Sequence, residues 1–463
     1  PATSIISVAG VGQASGNNAG VSFVWNEISN DYTALVKDSR IETEGDVDVQ
    51  AESNTMIAGL SVGASYASGE FAGAASVTAN EIGGVGKEGN RVSAQVIDST
   101  VDAGSLSISA QDNSLILSLA GQITAGSKAS AGGAVAHNVI SNSVLAQLIG
   151  GSTNLSGSLE LTAVNDSAIA TIAVAGGGAG DFALNGSVTS AHISNYTGAV
   201  IGDMEESGTE TVVSAEKAAV EAKDSSQINA LAGALTGSKG AAVGGAISVN
   251  TIGNDVIARV GHSTLTLTGS LTVDAQNLSV IRTLAAAAGG AKSAAISGSL
   301  TVSTISNTTE AEVVNTGLSG QAGAKVAADD QSVIHTLSGG IAGSGSAAIG
   351  GAAAASVISN ETRARVVDSQ IYSLGLTLEA LNQSEIMAAS MAGSGAGDVG
   401  VNGSITGSVV TNTTEALLIN TDVEIAGGEG GKRSIGLKAL DDAEILALAG
   451  SVSGAGTAAV GGA

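Results

Sequence analysis

The sequence predicts an all-β protein, a parallel β-solenoid (β-helix) wound from ~53-residue repeats with about two coils to each repeat. The first observation is the period itself. One alanine recurs at Ala51, Ala110, Ala163, Ala222, Ala275, Ala328, Ala380 and Ala439, in steps of 59, 53, 59, 53, 53, 52 and 59 residues. The second is alternation of apolar and polar residues, as in Leu265-Leu267 and Leu271-Val273-Ala275; this is the period of a strand with one buried face. The third is composition: 66 Gly, one Pro and 2% aromatic residues in 463. That suits tight turns and close backbone approach, with an interior of Val, Ile, Leu and Ala. An antiparallel β-meander array is the alternative.

The repeats form one continuous array over residues 1–463, with boundaries near residues 55, 114, 167, 226, 279, 332, 384 and 443. A second landmark, an asparagine, recurs at Asn30, Asn142, Asn195, Asn254, Asn307, Asn360 and Asn412, 32 residues after the alanine wherever both are present in that order. The second repeat lacks it, having Gly83-Gly84 after Ile82. Because Pro1 and Ala463 fall inside repeats, the array reads as a segment of a longer chain. Three insertions, around Lys87–Asn90, Glu205–Glu210 and Gly427–Gly431, are polar or Gly-rich. They are expected to project from corners as exposed loops that tolerate deletion.

Each repeat divides into about four strand segments. In the repeat centred on Asn254 the polar pair His262-Ser263 reads as a corner, as Lys37-Asp38-Ser39 does in the first. The string AxNxS, here Ala275 to Ser279, reads as a second corner, because Asn, Asp and Ser bond their own backbone and tolerate left-handed conformations. Stacked in register, such side chains can form a ladder of amide hydrogen bonds. Val273 is assigned to the interior and Thr272 to the opposite face. Small residues around Ala242, Gly244 and Ala246 imply a narrow interior or a second sheet packed close. Glu216–Lys223 (EKAAVEAK) would pass for a helical turn, but it aligns with strand segments in other repeats.

Charge and motifs narrow the function. A net charge of −25 without a basic patch argues against binding nucleic acid or anionic lipid. No cysteine is present, so no disulfide forms. The start PATSIISVAG lacks the features of a signal peptide, and the uncharged stretch Thr336–Asn360 is too rich in Gly, Ala and Ser for a membrane span. The calcium-binding pattern GGxGxDxUx is missing, and the pairs Asp329-Asp330 and Asp441-Asp442 occupy only some repeats. Asn-x-Ser/Thr sequons such as Asn165, Asn277 and Asn360 follow from corner composition. The glycine stretches near Lys128 and Lys292 lack phosphate-loop spacing. His137, His192, His262 and His335 occupy different repeat positions, and the run Thr264-Thr266-Thr268 that would suit ice binding is not repeated. Arg363 and Arg365 beside Asp368 are the best local candidates for catalysis on an acidic polysaccharide, and a salt-bridged solvent face is the stronger reading of them.

The recurrent pattern SVNxISN…AxVxDSxVxxxGxLxVxAxNxS…IxALAGxxxG resembles the repeats of large secreted bacterial surface proteins, the filamentous adhesin and leukotoxin-like exoproteins exported by two-partner secretion. The resemblance implies a secreted or cell-surface location and a β-helical fibre. Its expected partners are other copies, end to end or side by side, and a host-cell, matrix or neighbouring-cell surface. It implies no catalytic, cofactor-binding or metal-binding residues and no cofactor. The expected function is therefore a structural or adhesive shaft, with a β-helix enzyme acting on acidic polysaccharide as the alternative.

Overall fold

A computed structural model describes residues 2–83, 89–203, 208–425 and 434–463. In a typical repeat the chain runs along a 21-residue strand, Leu271–Ala291, turns into a 12-residue strand, Ala294–Ile305, and continues into Thr308–Gly320. These three strands belong to three sheets, called here faces 1, 2 and 3. On each face the hydrogen-bonded neighbour is the equivalent strand of the adjacent repeat, and the pairing is parallel. The parallel solenoid is therefore the fold, and the antiparallel alternative does not describe any of the pairings.

The coil count differs from the expectation. Ala275 pairs directly with Ala328, and Ala328 with Ala380, so each repeat is one coil and not two. The reason lies in AxNxS, which is not a corner. The segments before and after it fuse into the single strand Leu271–Ala291, with Asn277 and Ser279 pointing inward at its middle. Four expected segments thus collapse onto three faces, and no corner remains from which a second coil could start. Equivalent residues stack ~4.8 Å apart, half of the roughly 10 Å that two coils would need.

The other expected corner is a left-handed bend within face 3, not a turn between faces. Asp38, Asp98, His262, Asn315, Asp368 and Asn420 hold positive φ between 45° and 49° at equivalent points of face 3. The next residue caps the bend: Ser263 Oγ donates to Gly261 O at 2.6 Å and Thr316 Oγ1 to Val314 O at 2.9 Å.

The interior has three zones. The first half of face 1 packs Leu271, Val273 and Ala275 against Val256, Ala258 and Leu265 of face 3 in an aliphatic core, as expected for Val273. At the join, isoleucines of successive face-2 strands (Ile252, Ile305, Ile358) stack with those of face 1 (Ile228, Ile281, Ile334). Beyond it, face 1 and face 2 lie close together over Ala232, Ala246 and Ala285, the narrow packing that the small residues implied. Gly340 shows how narrow it is. A Cβ there would sit 2.0 Å from Gly351 O, whereas one on Gly351 meets nothing within 4 Å. Gly340→Ala should therefore lower stability by about 2–3 kcal/mol, while Gly351→Ala should leave the urea unfolding midpoint unchanged or slightly raised.

The central residues of all three insertions lie outside the described residues. Their flanks show three different locations: between faces 2 and 3 (Ile82 to Asn90), within face 3 (Ile201 to Thr211), and between faces 3 and 1 (Ile425 to Ile435). The first insertion also hides a landmark. Asn90 pairs with Asn142, so the second repeat does possess the asparagine, displaced along the chain.

Candidate functional site: a buried amide and carboxylate spine beside a charged ladder

Where face 2 turns into face 3, the landmark asparagines point inward and stack. The backbone N–H of Asn142 donates to Asn195 Oδ1 at 3.2 Å, Asn195 to Asn254 at 3.2 Å, Asn254 to Asn307 at 3.1 Å, and Asn307 to Asn360 at 3.1 Å. Each side chain thus accepts a backbone proton from the neighbouring coil. That satisfies a donor that would otherwise be buried unpaired at the turn.

The side-chain amides reach a second column, the middle residue of the AxNxS string. In register it reads Ser53, Asp112, Asn165, Asp224, Asn277, Asp330, Asn382 and Asp441. Carboxylate and amide alternate. Stacked ~4.8 Å apart, two adjacent buried carboxylates would repel strongly; alternation doubles that separation and places a donor between. Asn165 Nδ2 donates to Asp224 Oδ2 at 2.6 Å, and Asn277 Nδ2 to Asp330 Oδ2 at 2.7 Å. Asp224 also accepts from Ser226 at 2.6 Å and Asn254 at 2.7 Å, and Asp330 from Asn360 at 2.6 Å. The expected amide ladder therefore exists, inside the solenoid and mixed with carboxylates.

Burial pushes Asp224 and Asp330 each up to about 6. The hydrogen bonds, led by Ser226 for Asp224 and by Asn277 for Asp330, pull the other way. Burial also raises Asp112. A folded-state pKa above the unfolded value near ~3.8 means the folded state binds the proton more tightly. The stability that this contributes is complete below about pH 4 and is lost as the pH rises through about 6, amounting to roughly 3 kcal/mol per residue. Asp224→Asn with Asp330→Asn should thus shrink the difference between the urea midpoints at pH 4 and pH 7.5, on top of a loss at both, because the new amide NH2 faces groups that donate to both carboxylate oxygens.

Outside face 3 runs a ladder of alternating charge. Glu310, Arg363 and Glu415 are register neighbours, as are Arg259, Glu312 and Arg365. Arg363 bonds Glu310 and Glu415, both at 3.1 Å, and pairs with Glu361. Arg365 Nε donates to Glu312 at 2.8 Å, and Arg259 lies 3.3 Å from the same carboxylate, which is fully buried. The expected salt-bridged reading of Arg363 and Arg365 matches this arrangement; Arg363 has a glutamate at the equivalent position on both sides, and Arg365 has Glu312 on one side and Leu417 on the other. Asp368 is not part of the cluster: it sits in the left-handed bend and accepts from Asn420 at 2.5 Å. Arg365→Ala should cost about 1–3 kcal/mol in urea unfolding by leaving the buried Glu312 with Arg259 as its remaining cation.

The histidines are scattered, as expected. His262 occupies a bend, and His335 faces Glu385 at 3.2 Å on face 1. His137 and His192 lie on the outside of face 2 in adjacent coils, where burial and the neighbouring ring lower the pKa of His192. Thr264 donates to Glu210 at 2.5 Å. Among the described residues no three His, Asp or Glu converge as a cation cage, and no helix is long and apolar enough to cross a membrane.

Comparison of the chain with family models, with curated proteins and with solved structures returns no match.

Proposed function

We propose that the chain is a structural or adhesive shaft element of a secreted or cell-surface fibre, acting through shape and surface rather than through chemistry. One observation carries the reading: the positions that recur coil after coil serve stacking. They are the asparagine column, the isoleucine stacks and the left-handed bends with their hydroxyl caps. The carboxylates that line up in register in the spine and beside the arginines are committed to structure. Those of the spine are buried under neutral donors, and Glu310 and Glu312 are bound to arginines. The acidic exterior keeps neighbouring shafts apart until a specific contact forms.

The geometry also sets proportions. Nine coils at ~4.8 Å rise only about 43 Å, while a 21-residue strand at ~3.3 Å per residue spans roughly 70 Å. One chain is thus a broad block, and a fibre requires many coils in sequence. Negative-stain electron microscopy together with incubation on acidic polysaccharides tests this reading. Blocks or stacked shafts without unsaturated or reducing-end product are expected, and sustained turnover would overturn it.

A further inference from the structure

Beyond Glu27 and Glu81 on its first two strands, the outside of face 2 lacks charge. Six consecutive strands, Ala129–Ile140, Phe182–Ile193, Ala241–Ile252, Ala294–Ile305, Ala347–Ile358 and Val399–Val410, contain no Asp, Glu, Lys or Arg. The chain as a whole is 13% charged and carries −25. Along the outside, Ile247, Leu300 and Ile405 are 39%, 38% and 68% exposed on one line, and Leu184, Ile296 and Ile349 are 43%, 45% and 47% exposed on another. Between these two ridges runs an uninterrupted column of glycine: Gly133, Gly186, Gly245, Gly298, Gly351 and Gly403.

Nothing inside the molecule requires glycine at these six positions. None has a positive φ, and a Cβ on any of them would meet no atom closer than 3.9 Å. Glycine weakens a strand, and its repeated use in a strand marks a place where another surface approaches closely. The occupant must be apolar and flat, and it must present side chains that fill the groove.

We propose that the outer surface of face 2 is a self-association surface on which a second copy of this chain packs, the Ile247–Leu300 ridge of each copy lying in the glycine groove of the other. Three arguments single out a second copy. Ridge and groove are adjacent outward columns. A two-fold axis parallel to the solenoid axis and running between them therefore lays each ridge into the opposing groove, a self-complementary contact. The footprint suffices: six coils by ten residues is about 29 by 33 Å, or ~950 Å², against about 800 Å² per partner in a stable interface. Lastly, two copies that each carry −25 repel one another, and contact through these six strands brings no carboxylates together. The inference rests on the shaft reading and adds a lateral partner to it.

The test is sedimentation equilibrium of the whole chain up to about 100 µM, with two sets of variants. Gly245→Val, Gly298→Val and Gly351→Val combined fill the groove with a residue that strands favour. This variant should keep the wild-type circular dichroism and lose association by at least 30-fold. Because the chain has no cysteine, Ile247→Cys and Thr272→Cys report the face directly. A short bismaleimide should give covalent dimers from Ile247→Cys and none from Thr272→Cys on face 1. A wild-type chain that stays monomeric at 100 µM, association that survives the triple change, or equal cross-linking at both cysteines would each overturn the proposal. Monomers without turnover would defeat this inference and leave the shaft reading standing; dimers with polysaccharide turnover would do the reverse.

Discussion

Val273→Asp is expected to lower stability by roughly 4 kcal/mol or more, while Thr272→Asp, one residue away, should cost less than about 1 kcal/mol. Val273 is fully buried in the aliphatic core between faces 1 and 3, stacked between Val220 and Val326. A carboxylate there has no donor or cation within the core and must either be buried charged or take up a proton. Thr272 points outward between Ala219 and Lys325, where a carboxylate is hydrated and gains a cationic neighbour. Because each coil contacts only its neighbours, the damage at Val273 should also split the unfolding transition instead of merely shifting it. Urea unfolding followed by circular dichroism measures both effects. Equal losses would mean that the strand is buried on both sides.

Asn254→Leu, a change of nearly equal volume, should cost about 3–5 kcal/mol. It removes the acceptor for the Asn195 N–H and the donors to Asp224 at 2.7 Å and Ser226 at 3.0 Å. Three groups already desolvated by folding are then left short of partners, one of them a carboxylate. Asn113→Leu is the control. It lies on the exposed side of the equivalent face-1 strand, so it should shift the urea midpoint by less than about 0.5 kcal/mol.

The repeat, the strand alternation and the direction of Val273 could be read from the chain because each depends on a local period that no tertiary contact has to reveal. A change of direction at His262 could be read for the same reason, since a polar pair recurs there, whereas its left-handed backbone could not. The string AxNxS misled because its residue types favour turns, whereas here tertiary burial overrides that preference. Asn277 and Ser279 continue a strand whose inward side meets the corner asparagines, and their hydrogen-bond partners lie 23 to 53 residues away. That single inversion carried the coil count with it. The alternation of Asp and Asn from Asp112 to Asp441 was present in the letters, but only the register makes those residues neighbours and gives the alternation a meaning. The opposite charges flanking Arg363 were equally visible at matched repeat positions. Glycine in the letters signals tight turns and close packing, but which glycines face inward and which form the outward column of face 2 emerges only when the strands are aligned.

The claim on which the rest depends is that one repeat makes one coil, so that equivalent residues of adjacent repeats are direct neighbours. Gln276, Asp329 and Leu381 lie in register on the outside of face 1, and the chain contains no cysteine of its own. Gln276→Cys with Asp329→Cys should oxidise rapidly to an intrachain disulfide, because neighbouring strands ~4.8 Å apart fall within the 4.4–6.8 Å Cα separation that a disulfide spans. Gln276→Cys with Leu381→Cys, two coils apart, should stay reduced under the same conditions. Failure of the first pair to close, or closure of both at similar rates, would contradict the stacked single-coil solenoid.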